Sequence, residues 1–188
     1  MSPAGSPTFR KAAPADALVL ARMRWDFRAE GGETPIESFD AFERRFLAHF
    51  ITGVADGTWT RWIAEVDGVI VATMSVHKIS PVPRPSRLDD QWGYVTDCYT
   101  VPRHRNRGIG AALLGHVVAW AREQDFEELI VSPAERARPF YERAGFGPDD
   151  DFLLLRLRGD DGGLADRDLT AVDSVVAETV NERQADPA

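Results

Sequence analysis

A single cysteine, Cys98, stands among 188 residues, so no internal disulfide can staple the fold. Four histidines (His49, His77, His104 and His116) are scattered with no second cysteine near them, and we expect no metal site. Lysine is nearly absent. The only two, Lys11 and Lys78, do not follow a glycine, which removes the Gly-Lys-Ser/Thr ending of a nucleotide-binding P-loop. No apolar run approaches the roughly 18 residues of a membrane span, and the N-terminus has no secretory apolar core, so the expectation is a cytoplasmic protein with no membrane partner. Excess positive charge is missing too: the net charge of -8 argues against nucleic acid.

What is present suffices for one full core, since 44% of the chain is hydrophobic and the length favours one domain. The acids are unevenly placed. From Arg158 to Ala188 eight acids face three arginines, a net of -5, which leaves -3 on the residues before them. We therefore expect a domain over 1–157 and an acidic extension over 158–188 that follows the Asp161-Gly162-Gly163 break. Within it Leu169, Val172, Val176 and Val180 mark an amphipathic helix over 169–183, to pack on the domain, to pair with a second subunit in a homodimer, or to stay disordered.

Along the chain, Thr8 to Lys11 reads as a short strand and Pro14 to Ala29 as a helix with Leu20, Met23 and Phe27 on one side. Gly31, Gly32 and Pro35 make a loop of Arg28 to Glu37. Ser38 caps a second helix whose Phe39, Phe42, Phe46 and Phe50 recur at helical spacing, a stripe that belongs to the core. Asp67-Gly68 between Trp62–Val66 and Val69–His77 predicts an antiparallel hairpin. A proline-rich loop precedes a strand over Tyr94 to Val101, and a helix from about Gly108 carries Ile109, Leu113, Val117 and Trp120 inward before a strand over Glu128 to Ser132. Cys98 reads as a small apolar residue of the central strand.

The strand-to-helix junction Arg105-Asn106-Arg107-Gly108-Ile109-Gly110 carries the chemistry. Two glycines one residue apart have no Cβ to hold a ligand off, and a helix N-terminus offers unpaired N–H groups and about half a unit of positive charge to an anion. A dinucleotide-binding fingerprint competes, with Glu128 as its ribose acid. That motif needs a third glycine where Leu113 stands and opens its domain, whereas about a hundred residues come before this turn. The remaining pattern, Arg/Gln-x-x-Gly-x-Gly/Ala, is satisfied at every fixed position.

With its surroundings, this segment resembles motif A of the GNAT superfamily of acyl-CoA-dependent N-acetyltransferases. Ser132 to Phe146, with Phe140-Tyr141 and Gly145-Phe146, resembles motif B, and the 62–77 hairpin resembles the one that precedes motif A. The resemblance spans about residues 8–157 and implies an α/β (α+β) fold: a mixed, mostly antiparallel sheet of six to seven strands flanked by about four helices. Ser132-Pro133-x-Glu135 also reads as a capping box and Gly145 as a helix stop, while Pro139 requires either a start near Ala137 or a kink.

The resemblance further implies acetyl-CoA as cosubstrate, with Arg105, Asn106, Arg107, Gly108, Ile109, Gly110 and Ala111 about its diphosphate, Phe140 beside it, and Thr100 and Val101 on its pantetheine arm. A freed N–H at the last two would steady an oxyanion. Tyr141 is the implied general acid for the leaving thiolate, a role suited to a phenol with a pKa near 10. Asp97 is the nearest acid for the incoming amine. Regular alternation would turn it away from Thr96 and Cys98, and a bulge would change that. Tyr94 and Thr96 line the acceptor side, with Glu30 and Glu33 as loop acids for a cationic substrate. The expected reaction is acetyl transfer to a primary amine of a small molecule; peptide or protein amines, or a non-catalytic acyl-CoA-binding module, stand as alternatives.

Overall fold

Two-residue turns need positive φ at both central positions when they join twisted strands, and Asp67 (φ 52°) with Gly68 (φ 77°) supplies it. That turn folds β2 (Trp59–Val66) onto β3 (Val69–Ile79) in the computed structural model, which describes residues 5–87, 90–148 and 155. β1 (Thr8–Lys11) pairs antiparallel with β2, β4 (Trp92–Thr100) antiparallel with β3, and β5 (Glu128–Val131) parallel with β4. The sheet order is β1-β2-β3-β4-β5. This mixed, mostly antiparallel sheet has the expected fold with fewer strands than six to seven. Residues 149–154, 156 and 157, and the helix expected over 169–183, fall outside the described residues.

β3 is buried from Val71 to Val76 without alternation, because helices cover both faces of the sheet. On one face α1 (Ala17–Glu30) and α2 (Phe39–Ala55) enclose Leu20, Met23, Phe46, Phe50, Ile63 and Tyr99. On the other, α3 (Ile109–Glu123) and α4 (Arg138–Glu142) place Leu113, Leu114, Val117 and Tyr141 against Ala64, Val71, Val76 and Val95. Each of the large apolar side chains buried here contributes about 1.5–3 kcal/mol.

Local chemistry sets the boundaries. A 3-10 turn over Pro14–Asp16 leads into α1, and the Asp16 carboxylate accepts from the Ala13 N–H at 2.7 Å while pairing with Arg10 at 2.7 Å. α1 stops where Gly32 takes φ 85°, with Glu33 N bonded to Arg28 O and Gly32 N to Ala29 O. The helix thus runs to Glu30, three residues into the expected loop. Ser38 Oγ accepts from Ala41 N at 3.3 Å, the expected cap of α2. The capping box read at Ser132 does not form: a 3-10 turn covers Glu135–Ala137, and α4 begins at Arg138 with Pro139 in its first turn, where no ladder bond is lost. Gly145 (φ 95°) ends that segment, with Phe146 N bonded to Tyr141 O.

At Gly93 side chains of β3 and β5 crowd over β4. A Cβ there would lie 2.5 Å from Leu129 Cδ2 and 2.9 Å from Val76 Cγ1. Gly93→Val is expected to cost about 1–3 kcal/mol by overpacking, read as a lower denaturation midpoint; an unchanged midpoint would show that the sheet has slack at this point.

Candidate active site

β4 and β5 pair only from Trp92–Glu128 to Val95–Val131. Beyond that, β4 continues on β3 alone, and the chain after Val131 turns off toward α4, so a wedge opens along Thr96 to Val101. Val101 N donates to Val71 O at 3.0 Å, which corrects the expectation of a freed N–H at that residue. Antiparallel alternation then turns the N–H of Thr100 away from β3 and into the wedge.

The cradle lies at the end of the wedge. After a 3-10 turn over Pro102–His104, Asn106 (φ 59°) and Gly108 (φ 78°) reverse the chain, and α3 starts at Ile109. The bond from Ala112 N to Gly108 O, 2.9 Å, enters the helix only after Ile109, Gly110 and Ala111. Those three N–H groups precede the helical ladder, no side chain caps the end, and no acid stands in the first turn. A Cβ on Gly110 would come 3.4 Å from Thr100 Oγ1 and 3.7 Å from the Phe140 ring, so the absent side chain keeps a gap open between α3, β4 and α4. Asn106 and Arg107 are exposed beside it. The Arg105 side chain is otherwise engaged: Nε donates to Thr100 O at 2.8 Å and Nη2 to Glu30 at 2.5 Å. Its guanidinium ties the loop to the Glu30 carboxylate at the end of α1.

Tyr141 is 6% exposed and packs edge-on to Phe140 (4.9 Å) and Phe146 (5.6 Å). Burial pushes its pKa above the ordinary value, with the Cys98 side chain adding to the shift, so the phenol keeps its proton at neutral pH. Burial also pushes the Cys98 thiol up to about 12, which makes it a poor nucleophile.

A bulge decides the other face. Thr73 pairs with Tyr99 and Ser75 with Thr96, so Met74 alone opposes both Asp97 and Cys98, and Asp97 takes φ 53°. Asp97 therefore shares a side with Tyr94 and Thr96, against the regular alternation, and Cys98 turns toward Tyr141. Tyr94, Thr96 and Asp97 line a cleft of about 500 Å³ beneath α1 and α2, together with Arg24, Arg45, Phe46, His49, Trp59, Arg61 and Ser75. Asp97 pairs with Arg24 at 3.2 Å, and its pKa is raised because desolvation outweighs the arginines around it. Burial, then Arg61, holds His49 below the usual imidazole value.

Neither loop acid lines this cleft. Glu30 accepts from Tyr99 Oη at 2.7 Å and from Arg105, and both bonds, Arg105 first, keep its pKa below the carboxylate range. Glu33 is ion-paired with Arg28 beside a separate hollow of about 190 Å³. Sequence reading missed Arg24, Arg61 and Ser75. For Arg61 there was a signal: in period two it falls between Trp59 and Ile63, on the face that must be buried.

The comparisons with known proteins bear on the family and the fold. The model of the acetyltransferase (GNAT) family matches residues 20–146. An aminoglycoside N(6')-acetyltransferase type 1 of Stenotrophomonas maltophilia is 31% identical over 129 residues, covering 67% of this chain and 74% of that protein. Among solved structures, a predicted acetyltransferase from Clostridium acetobutylicum, determined with acetyl-CoA, is 27% identical at TM-score 0.69, covering 81% of this chain and 97% of the other. A GCN5-related N-acetyltransferase from Ralstonia eutropha is 27% identical at TM-score 0.67, covering 80% and 99%. A wedge between β4 and β5, an uncapped α3 after Arg-x-x-Gly-x-Gly and these likenesses have one explanation: the chain belongs to the GNAT family of acetyltransferases.

Proposed function

We propose that the chain transfers the acetyl group of acetyl-CoA to a primary amine of a small molecule by direct attack within a ternary complex. The observation that carries this reading is the placement of two different half-sites on the two sides of β4. On the α3/α4 side lie the uncapped helix end, the gap at Gly110 and the protonated Tyr141; on the α1/α2 side lies the cleft with Asp97. The small-molecule acceptor is supported by the relative named an aminoglycoside acetyltransferase.

Three free N–H groups of an α-helix, with the macrodipole behind them, fit a diphosphate, and the missing Cβ at Gly110 leaves room for its approach. When bound, acetyl-CoA supplies the activated thioester carbonyl. Ile109, Gly110 and Ala111 hold the diphosphate, with Gly108 shaping the turn, and the Thr100 N–H faces the arm and the developing oxyanion. Tyr141 holds a proton for the departing sulfur. Asp97, in the acceptor cleft, takes the proton that the amine must lose.

Gly110→Asp should weaken acetyl-CoA binding roughly 100-fold by calorimetry without lowering thermal stability, because an acid in the first turn favours the helix while repelling phosphate. Undiminished affinity would remove the diphosphate from this cradle. Tyr141→Phe should bind acetyl-CoA normally and lose roughly 100-fold in kcat; full turnover in that variant would leave the phenol a packing role only.

The direction of the Asp97 shift gives a pH prediction. A carboxyl with a raised pKa is a stronger base once ionised and is lost as a base when pH falls through that pKa. Asp97→Asn should lower kcat/KM roughly 100-fold near neutrality, and the deficit should shrink as pH rises toward the substrate amine's own pKa, where no base is needed. A deficit that stays constant across that range counts against the proton-accepting role.

A further inference from the structure

The floor of the acceptor cleft holds a cation with no direct ion-pair partner among the described residues; Asp97 acts on it only from beyond ion-pair distance. Arg61 is 4% exposed, its Nη1 makes no hydrogen bond, and among the described residues no carboxylate lies within ion-pair distance of it. Its guanidinium is walled by the rings of Phe50 (4.7 Å), Trp59 (5.1 Å) and Phe46 (5.9 Å), which stabilise the charge and leave the donor unpaired. Directly across the β2–β3 ladder stands Ser75, 1% exposed, whose Oγ is also without a partner. Both residues line the cleft that Asp97 lines. Buried donors are rarely left unsatisfied, and a buried guanidinium without a counter-charge is among the costliest of them. A planar cation and a hydroxyl side by side on one wall of a cavity suit an oxyanion, which would accept from both.

Charge around the cleft points the same way. Arg24, Arg45 and Arg61 line it against one acid, Asp97. Arg24 is engaged with Asp97 and Arg45 with Glu37, so among the described residues Arg61 is the lining arginine with no ion pair. A polycationic acceptor would meet three arginines. A zwitterion would find its ammonium beside Asp97 and its anion on Arg61.

We propose that the acceptor amine carries an anionic oxygen group, a carboxylate or a phosphate, and that Arg61 and Ser75 bind that group at the floor of the cleft. This rests on the acetyltransferase reading and names the class of its acceptor. No bond is made or broken at Arg61; it fixes the end of the substrate remote from the reacting nitrogen and sets which amines are accepted.

The test is a panel of amino carboxylates, amino phosphates, neutral primary amines and aminoglycosides, assayed by thiol release with wild-type protein, Arg61→Met and Ser75→Ala. Wild type is expected to prefer an anionic class, and the better of the carboxylate and phosphate arms identifies the group. Arg61→Met should raise KM for that class roughly 10- to 100-fold and Ser75→Ala roughly 3- to 10-fold. Acetyl-CoA affinity should be unchanged in both. The melting temperature of Arg61→Met should be equal or higher, since an unpaired buried charge is replaced by an apolar side chain of similar length. A wild-type preference for neutral or polycationic amines, or an unaltered KM in both variants, would overturn the assignment. If no amine is turned over, the proposed transfer reaction fails first. Calorimetry of the same anionic amines on the CoA complex then decides the site separately: binding lost in Arg61→Met supports it, and equal or absent binding in wild type and variant refutes it.

Discussion

The parallel pairing of β4 with β5 ends at Val95 and Val131, and the rest of the site follows from that early ending. A continuous ladder would consume the backbone groups along Thr96 to Val101 and close the gap between α3 and α4. Because β5 stops after four residues, the sheet splits, and ligand-facing backbone comes from a strand still held on its other side by β3. Gly93 keeps the closed end tight by letting Leu129, Val76 and Phe126 meet over a position with no side chain. The open end is kept open by Pro102, which has no N–H to extend a ladder, and by the turn that leads into α3.

The bulge at Asp97 distributes side chains between the two halves of this split. One extra residue in β4 brings Tyr94, Thr96 and Asp97 to the α1/α2 face and sends Cys98 to the α3/α4 face, next to Tyr141. The positive φ of Asp97 is unfavourable for a residue with a Cβ, though less so for aspartate than for most. Strain held at a position that lines the proposed acceptor cleft fits the pattern in which local preference yields to a site. Arg105 supplies a parallel case: the first residue of the glycine motif bonds both Thr100 and Glu30 and so ties α1, the end of β4 and the cradle together.

Much of this was legible from local pattern. The hairpin at Asp67-Gly68, the Ser38 cap and the glycine stop at Gly145 depend on interactions within a few residues, and all three form as read. Of the α2 phenylalanines Phe46 and Phe50 are buried as expected, whereas Phe39 and Phe42 are half-buried and Phe42 lines the cleft. The Ser132 box failed because the next segment prefers to begin helix where Pro139 can occupy the first turn. Asp97 could not be oriented from sequence, since a bulge is a property of two strands in register. The loop acids misled for a similar reason: Glu30 and Glu33 are neutralised by Arg105 and Arg28, and the Arg105 partner stands 75 positions away along the chain.

By itself, then, the sequence determined the proposed donor half of the site. A strand, a glycine turn and a helix start are contiguous, and the backbone N–H groups that face an anion come from that one stretch. The proposed acceptor half was decided only in three dimensions. Arg24 on α1, Arg45 on α2, Arg61 on β2, Ser75 on β3 and Asp97 on β4 share no spacing that periodicity could detect. Their charges acquire meaning when packing strips water from Arg61 and leaves it unpaired, because desolvation is a property of the folded interior and not of any residue in the chain.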